Sequence, residues 1–378
     1  MYKNDYLNVL IIPTNDCNLR CEYCFHNEHI LSDTNDKMSY KTLEHIFKII
    51  EPYYKSIQFI WHGGEPLCMG LDFYKKVVEY ERKYNKNNAV IRNSVQTNMT
   101  LMSEEIAYFF KENGFKISSS YDGICNEALR HNSKSFWNKK KKCDEILGKS
   151  SVICVVSQKN IEFLIESYEY FKSKGQSFTI NPYNKALNEK DRRLDLEISG
   201  LEYSNGVTRL YDYWMKDKNL NIRVGFFHEI SEYILFGRKT KCNLNSCLGK
   251  WICIRPDGRI TPCNRYFPEI YDYGNVNTIN CIDEVFDSSG FELLLSQAIQ
   301  RRNKCKECEI YNYCAGGCNN VALLYGGIEN NNNEICIGNI QIYKHVNQRL
   351  MEAVNMDNIS MLNPYLIKII TKYKEMNK

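Results

Sequence analysis

Six short β-branched runs recur between residue 7 and about residue 181, with amphipathic stretches filling the gaps between them. The runs are 7–12 (LNVLII), 57–61 (IQFIW), 90–96, 115–120 (FKISSS), 151–156 (SVICVV) and 177–181 (SFTIN). Behind a Ser39 cap, Leu43, Ile46, Phe47 and Ile50 repeat at i, i+3, i+4, i+7, the stripe of a helix resting on a sheet. Ser103 with Glu104 and Glu105 opens a second helix that Gly114 stops, and 160–174 forms a third, closed by Gly175. Strands and helices in this alternation require a parallel sheet with right-handed crossovers. The expected fold class is α/β, curled as a partial barrel or opened as a doubly wound sheet.

The unusual residues fall where such a sheet builds its sites. "TNDCNLRCEYCF" (14–25) follows the first run and "HGGEP" (62–66) the second, while "QTN" (96–98) ends the third and "SYDG" (120–123) the fourth. All four sit at the carboxyl edge of the strands.

Composition narrows the chemistry. A chain of 378 residues has room for more than one domain, and its net charge of +4 is spread over mixed Lys/Glu surface, so no nucleic-acid partner is called for. The basic run 139–142 is read as a solvated helix face. No apolar stretch reaches membrane-spanning length, and "LNVLIIP" (7–13) is too short for an export signal. Seventeen cysteines without such a signal place the chain in the reducing cytoplasm, where clustered cysteine binds metal or reacts.

Cys17, Cys21 and Cys24 read C-x3-C-x2-C. A closed zinc site wants four ligands. Three thiolates can instead hold three irons of a cubic [4Fe–4S] cluster and leave the fourth for the amine and carboxylate of a small molecule. This triplet, with Tyr23 before its last cysteine and the GGEP loop, resembles the radical S-adenosylmethionine superfamily. The resemblance implies a partial (β/α)6 TIM barrel that binds a [4Fe–4S] cluster and S-adenosylmethionine. It also implies a 5′-deoxyadenosyl radical that takes a hydrogen atom from substrate. Gly63 and Gly64 would then let backbone approach the ligand, and Glu65 would accept from its ammonium group. Gln96 and Ser120 are further contacts, and Arg130 is the candidate for the methionine carboxylate.

The second half carries Cys242, Cys247 and Cys263, then Cys305, Cys308, Cys314, Cys318 and Cys336. Three and five thiols serve two fully ligated clusters only if one cysteine crosses over, an exchange known from two-cluster ferredoxins. The pattern, with "PDGRITPC" (256–263) and its Asp257-Gly258 hairpin, resembles the SPASM extension that carries two auxiliary clusters. That match implies Cys242, Cys247, Cys263 and Cys318 for the first cluster, and Cys305, Cys308, Cys314 and Cys336 for the second. Cys68, Cys125, Cys143, Cys154, Cys253 and Cys281 remain, read as small buried hydrophobes. Domains are expected at 1–215 (barrel), 216–240 (connector), 241–340 (SPASM) and 341–378, a tail with an amphipathic helix over 340–354.

Relatives with two auxiliary clusters modify peptides or proteins, so a peptide or protein substrate and an electron donor such as flavodoxin or ferredoxin are implied partners. Sulfatase maturases of this kind carry an Asp after the cysteine of "PDG…PC" as base, whereas Asn264 stands there in this chain. An amide accepts no proton at useful pH. The expected function is therefore a maturase that forms a thioether or carbon–carbon crosslink in a ribosomally made peptide. Formylglycine formation on a sulfatase is the alternative, and an iron–sulfur carrier or redox sensor the non-enzyme alternative. His62 is read as a contact or a structural group, and His228 and Asp272 as core or solvated groups.

Overall fold

The computed structural model describes residues 4–24, 37–131, 133–185, 193–239, 242, 247–266, 269–330 and 332–377. In chain order the main elements are β1 (Tyr6–Ile11), α1 (Tyr40–Ile50), β2 (Ser56–Trp61), α2 (Leu71–Tyr84), β3 (Val90–Thr97) and α3 (Glu104–Glu112). Next come β4 (Lys116–Ser120), α4 (Asn126–Arg130), α5 (Ser133–Leu147), β5 (Val152–Val156), α6 (Leu164–Ser173) and β6 (Phe178–Pro182). They are followed by α7 (Gly200–Met215), α8 (Gly225–Phe236), β7 (Trp251–Ile254), β8 (Ile260–Thr261), α9 (Ser289–Lys304), α10 (Glu334–Asn355) and α11 (Pro364–Met376). All six expected strands are present, and each begins within one residue of its sequence run. The expected helix signals also act: Ser39 Oγ accepts from the Thr42 N–H at 3.0 Å and Ser103 Oγ from the Ile106 N–H at 3.2 Å.

The chain divides into two compact units, one made of Met1–Ser120, Arg130–Ser150 and Ser246–Ile299, the other of Tyr121–Leu129, Ser151–Asn245 and Gln300–Lys378. In the first, the strand order is β4-β3-β2-β1-β7-β8, with β1 to β4 parallel. Ile11 pairs with Trp61, Trp61 with Val95, and Thr97 with Ser119, so the carboxyl ends of these strands finish nearly level. Alternation along β2 sends Ile57, Phe59 and Trp61 to the helix-covered face. There Trp61 meets Phe73 and Tyr74 edge-on, and Phe110 stacks on Phe115 with ring centroids 4.8 Å apart.

Periodicity did not reveal β7. The segment WICI, some 240 residues after β1, pairs with it in parallel (Asn8 with Trp251, Ile11 with Ile254) and turns back at Gly258 into β8. This brings the PDG turn to the same carboxyl rim. Cys253 of β7 packs with Leu10, Ile12 and Ile60 as the small hydrophobe expected. Cys143 and Cys154 are also buried, whereas Cys68, Cys125 and Cys281 are only half-buried.

In the second unit β5 and β6 pair in parallel. The tail differs from expectation: α10 begins at Glu334, earlier than the amphipathic stretch suggested, and α11 is a second helix. α10 lies against α7, where Gly200 and Gly338 permit backbone contact. A Cβ on Gly200 would stand 1.8 Å from the Glu334 carbonyl oxygen. Asp212 of α7 then holds His345 and Arg349 of α10 at 3.0 and 2.9 Å. The His228 ring lies 3.5 Å from that of Tyr365 in this core, and Asp272, in the first unit, is exposed and accepts from the Gly274 N–H. Among the described residues no helix is long and apolar enough to cross a membrane.

Within the basic run Lys141 and Lys142 are exposed as expected, and Lys140 is the exception. Lys140 is 1% exposed and is held by Asp144 and the Ser150 carbonyl, while Lys139 reaches the Thr100 carbonyl and Lys142 reaches Glu104. A buried ammonium group such as that of Lys140 requires such partners.

Two carboxyls, one fully buried and one half-buried, make stability pH-dependent. Glu51 is fully buried with neither oxygen hydrogen-bonded, and burial plus the nearby Glu81 pushes it up to about 9. Glu81, bonded to Asn93 Nδ2 at 2.6 Å, is pushed by burial up to about 7. The folded state therefore holds protons that the unfolded chain gives up near 4.5, and stability is lost as pH rises through 7 and then 9. Glu51→Gln is expected to raise stability at pH 8 by about 1–3 kcal/mol and to flatten this loss. Thermal unfolding followed from pH 5 to 9 checks it.

Candidate functional site

The loop after β1 folds against the loop after β2. The Gly64 N–H donates to the Thr14 carbonyl at 3.1 Å, and the Glu65 N–H to the Asp16 carbonyl at 2.7 Å. A Cβ on Gly64 would stand 2.2 Å from the Asp16 oxygen, and Gly63 has φ +113° with the Thr14 oxygen 2.8 Å from its Cβ position. The close approach that these glycines allow is thus made by the chain's own cysteine loop, which they set in place.

Glu65 is held firmly in the protein, its side chain 1% exposed. Oε1 accepts from Thr97 Oγ1 at 2.8 Å and from the Leu67 N–H at 3.1 Å, and Oε2 accepts from the Asn98 N–H at 2.7 Å. Of about four acceptor sites on a carboxylate, three are used within the protein. Burial pushes this carboxyl up, and those bonds with the Arg130 charge pull it back. Glu65 ties the GGEP loop to the end of β3.

The three cysteines lie in this frame. Cys21 is buried, Cys17 and Cys24 are half-buried, and the Cys24 N–H donates to the Cys21 carbonyl at 3.1 Å. Asn98 Nδ2 donates to Asn18 Oδ1 at 3.0 Å and lies 3.8 Å from Cys17 Sγ. Burial raises the Cys17 thiol, while the Leu19 N–H and the Arg130 charge favour its thiolate.

Arg130 arrives from α4, 107 residues beyond Tyr23, yet its Nη1 donates to the Tyr23 hydroxyl at 2.6 Å. Its neighbour His131 lies 3.5 Å from Glu22, so the end of α4 clasps the loop twice. Arg130 is only 7% exposed, with a charge felt by both Cys17 and Glu65. Gln96 and Ser120, also singled out in the sequence, meet at 2.9 Å. Thr97 and Asn98 stand in the same QTN stretch, which carried no role for them individually. Their signal was the polar end of an otherwise apolar strand, read as a terminus rather than as a set of ligand-loop partners.

His62 accepts the Gly63 N–H on Nδ1 at 2.7 Å, so its neutral ring carries the proton on Nε2. Burial and the Arg265 charge lower it to about 4. Arg265 follows Asn264 in the chain, and its charge reaches the His62 ring. Cys247 and Cys263 both act on the buried phenol of Tyr273. Cys242 and Cys318 belong to the second unit. Cys68 sits near Glu65 and Cys17, and burial with their charges pushes its thiol up to about 11.

Within the second unit, Cys305, Cys308, Cys314 and Cys336 lie close enough for each to bear on the acidity of Cys305 or Cys314. None is in a disulfide. An all-sulfur donor set with a buried Arg301 beside it fits an anionic iron–sulfur cluster. The three-thiol loop with Arg130 over it fits a cluster that keeps one iron open to a carboxylate-bearing ligand.

Comparison with known proteins agrees. Residues 11–180 match the radical SAM superfamily. The cysteine-type anaerobic sulfatase-maturating enzyme of Clostridium perfringens is 30% identical over 332 residues, 82% of this chain and 88% of that one. The solved structure of native anSMEcpe with bound AdoMet and Cp18Cys peptide is similar at TM-score 0.78 and 25% identity, covering 92% of this chain and 98% of that one. The radical SAM cyclopropyl synthase TigE of Paramaledivibacter caminithermalis is 25% identical over 91% of this chain and 74% of its own. The chain belongs to the radical SAM superfamily and, within it, to the family of the anaerobic sulfatase-maturating enzymes. The fold is the partial radical SAM barrel with a cysteine-rich region after it, and the protein is an enzyme of maturase type. The electron-carrier alternative falls.

Proposed function

We propose that this enzyme is a peptide maturase that forms an oxidative crosslink, thioether or carbon–carbon, in a ribosomally made peptide. Asn264 carries the reading. Oxidising a Cys or Ser side chain to formylglycine needs a base for its thiol or hydroxyl proton. The titratable groups of the GGEP loop offer only weak bases in its place: His62, which feels the Arg265 charge, is lowered to about 4, and Glu65 already accepts three hydrogen bonds. The likeness to a cyclopropyl synthase supports bond formation by this layout.

Cys17, Cys21 and Cys24 would hold the cluster, which when bound would supply the electron for cleaving S-adenosylmethionine and so the means of taking a hydrogen atom from the peptide. Arg130 holds the methionine carboxylate, Tyr23 orients Arg130, and Glu65 and Asn98 hold the two loops in register. Gln96 and Ser120 face the ribose and amino-acid portions. The proposal includes three [4Fe–4S] clusters. Cys242, Cys247, Cys263 and Cys318 hold one auxiliary cluster, and Cys305, Cys308, Cys314 and Cys336 the other. It also includes the domain division at 215, 240 and 340, a flavodoxin or ferredoxin as electron source, and a cytoplasmic location.

A second reading, formylglycine formation, is favoured by the 30% identity to a sulfatase-maturating enzyme. One experiment separates them. The protein is co-expressed anaerobically with the short peptide encoded beside it, and peptide mass is measured. Loss of two hydrogens per site, with a crosslink located by fragmentation, is expected. Efficient conversion of a sulfatase-motif peptide to formylglycine would sink the crosslinking reading.

A further inference from the structure

The last turn of α9 aims a guanidinium at a sulfur. Arg301 is 5% exposed, and every nitrogen of its side chain is engaged inside the second unit. Nε donates to the Gly316 carbonyl at 2.6 Å, and Nη1 to the carbonyls of Ile328 and Asn330 at 3.3 and 3.0 Å. Nη2 lies 3.8 Å from Cys336 Sγ. Gly316 belongs to the turn between Cys314 and Cys318, where Ala315, Gly316 and Gly317 have φ +54°, +89° and +70°. Ile328 and Asn330 precede α10, whose first turn carries Cys336, its N–H held by the Asn333 cap at 3.0 Å. Cys305 follows Arg301 by one helical turn, its N–H donating to the Arg301 carbonyl at 3.0 Å. One side chain therefore joins the segments that bring the four thiols of the second set together.

A guanidinium stays charged, and burying it without a counter-charge is costly. Among the described residues no carboxylate forms an ion pair with Arg301, as carboxylates do with Lys304 and Arg349 nearby in sequence. Its neighbours are carbonyls and the thiols of Cys305, Cys314 and Cys336. A cluster held by four thiolates is anionic and gains a further negative charge on reduction. We infer that Arg301 sets the reduction potential of the second auxiliary cluster, its fixed charge at Cys336 stabilising the reduced state and making this cluster the electron acceptor of the reaction. The inference rests on the ligand assignment proposed above. In the step it serves, a substrate radical is oxidised to closed-shell product. Its electron enters the cluster, its proton leaves to solvent, and the external electron carrier reoxidises the cluster.

The test is a redox titration followed by electron paramagnetic resonance on reconstituted full-length protein. Arg301→Gln and Arg301→Lys are each made in the Cys17→Ala/Cys21→Ala/Cys24→Ala background, so that the radical cluster contributes no signal. Arg301→Gln is expected to shift the potential negative by at least about 59 mV, a tenfold change in the one-electron equilibrium. Arg301→Lys, which keeps the charge, is expected to shift it by less than half as much. A Gln variant with full iron content and a potential within threefold of the parent equilibrium overturns the inference. Should Arg301→Gln not hold the cluster, protein with isotopically labelled guanidinium nitrogen decides. Coupling of that nitrogen to the reduced cluster, absent in Arg301→Lys, supports the role, and no coupling overturns it. Cys305→Ser and Cys336→Ser report on the assignment itself. If neither lowers iron content, the ligand set fails, whatever Arg301 does.

Discussion

Cys17→Ala/Cys21→Ala/Cys24→Ala is expected to lose all production of 5′-deoxyadenosine while keeping about eight of about twelve irons per chain. The asymmetry follows from where the thiols lie. The triplet sits in a loop braced by Thr14, Asp16 and the GGEP backbone, and the eight other assigned cysteines lie from residue 242 onward. Removing three thiols deletes ligands without touching the helix-covered aromatic core under β2, so the protein should fold and retain its other clusters. Iron and sulfide analysis, with chromatography of the nucleoside product, measures both quantities on one sample. Retained cleavage of S-adenosylmethionine would remove the open-cluster reading altogether. Loss of all iron would show that the three sites do not assemble independently.

Arg130→Met is expected to weaken S-adenosylmethionine binding by about 10–100-fold, equivalent to the loss of one charge-assisted pair in a buried site. Arg130 is almost fully buried, donates to Tyr23 and carries a charge that acts on Cys17 and Glu65. Its removal also leaves the Glu65 carboxylate without the nearby positive charge. Arg130→Lys should recover only part of the affinity, because an ammonium cannot reach the Tyr23 hydroxyl and a carboxylate with the same planar fork. Equilibrium binding of the cofactor to protein with full iron content gives the answer. Unchanged affinity in Arg130→Met would reduce Arg130 to a packing residue of the Tyr23 loop.

The residues that the sequence alone could place are those whose signal is short-range. Short β-branched runs mark β1 to β6, and capping by Ser39 and Ser103 marks the starts of α1 and α3. Three thiols in eight residues are a local fact that needs no folding to read, and parallel strands put every loop that follows them on one rim. The class of chemistry was therefore legible before any coordinate. Asn264, on which the proposed crosslinking reading rests, was equally plain.

What joins those pieces spans long separations, and tertiary structure decided it. β7 reaches β1 across some 240 residues because hydrogen-bond register admits one more parallel edge there, and no periodicity in WICI announces it. Arg130 finds Tyr23 over 107 residues through the turn after β4. Glu65 faces inward because the ends of β2 and β3 finish nearly level, placing Thr97 and the Asn98 N–H within reach of its two oxygens. Arg301 meets Cys336 because two loops and a helix end close on one buried space. Local pattern states which faces must be buried and which loops share an edge. Which charge meets which sulfur depends on register and crossover, and these exist only once the chain has packed.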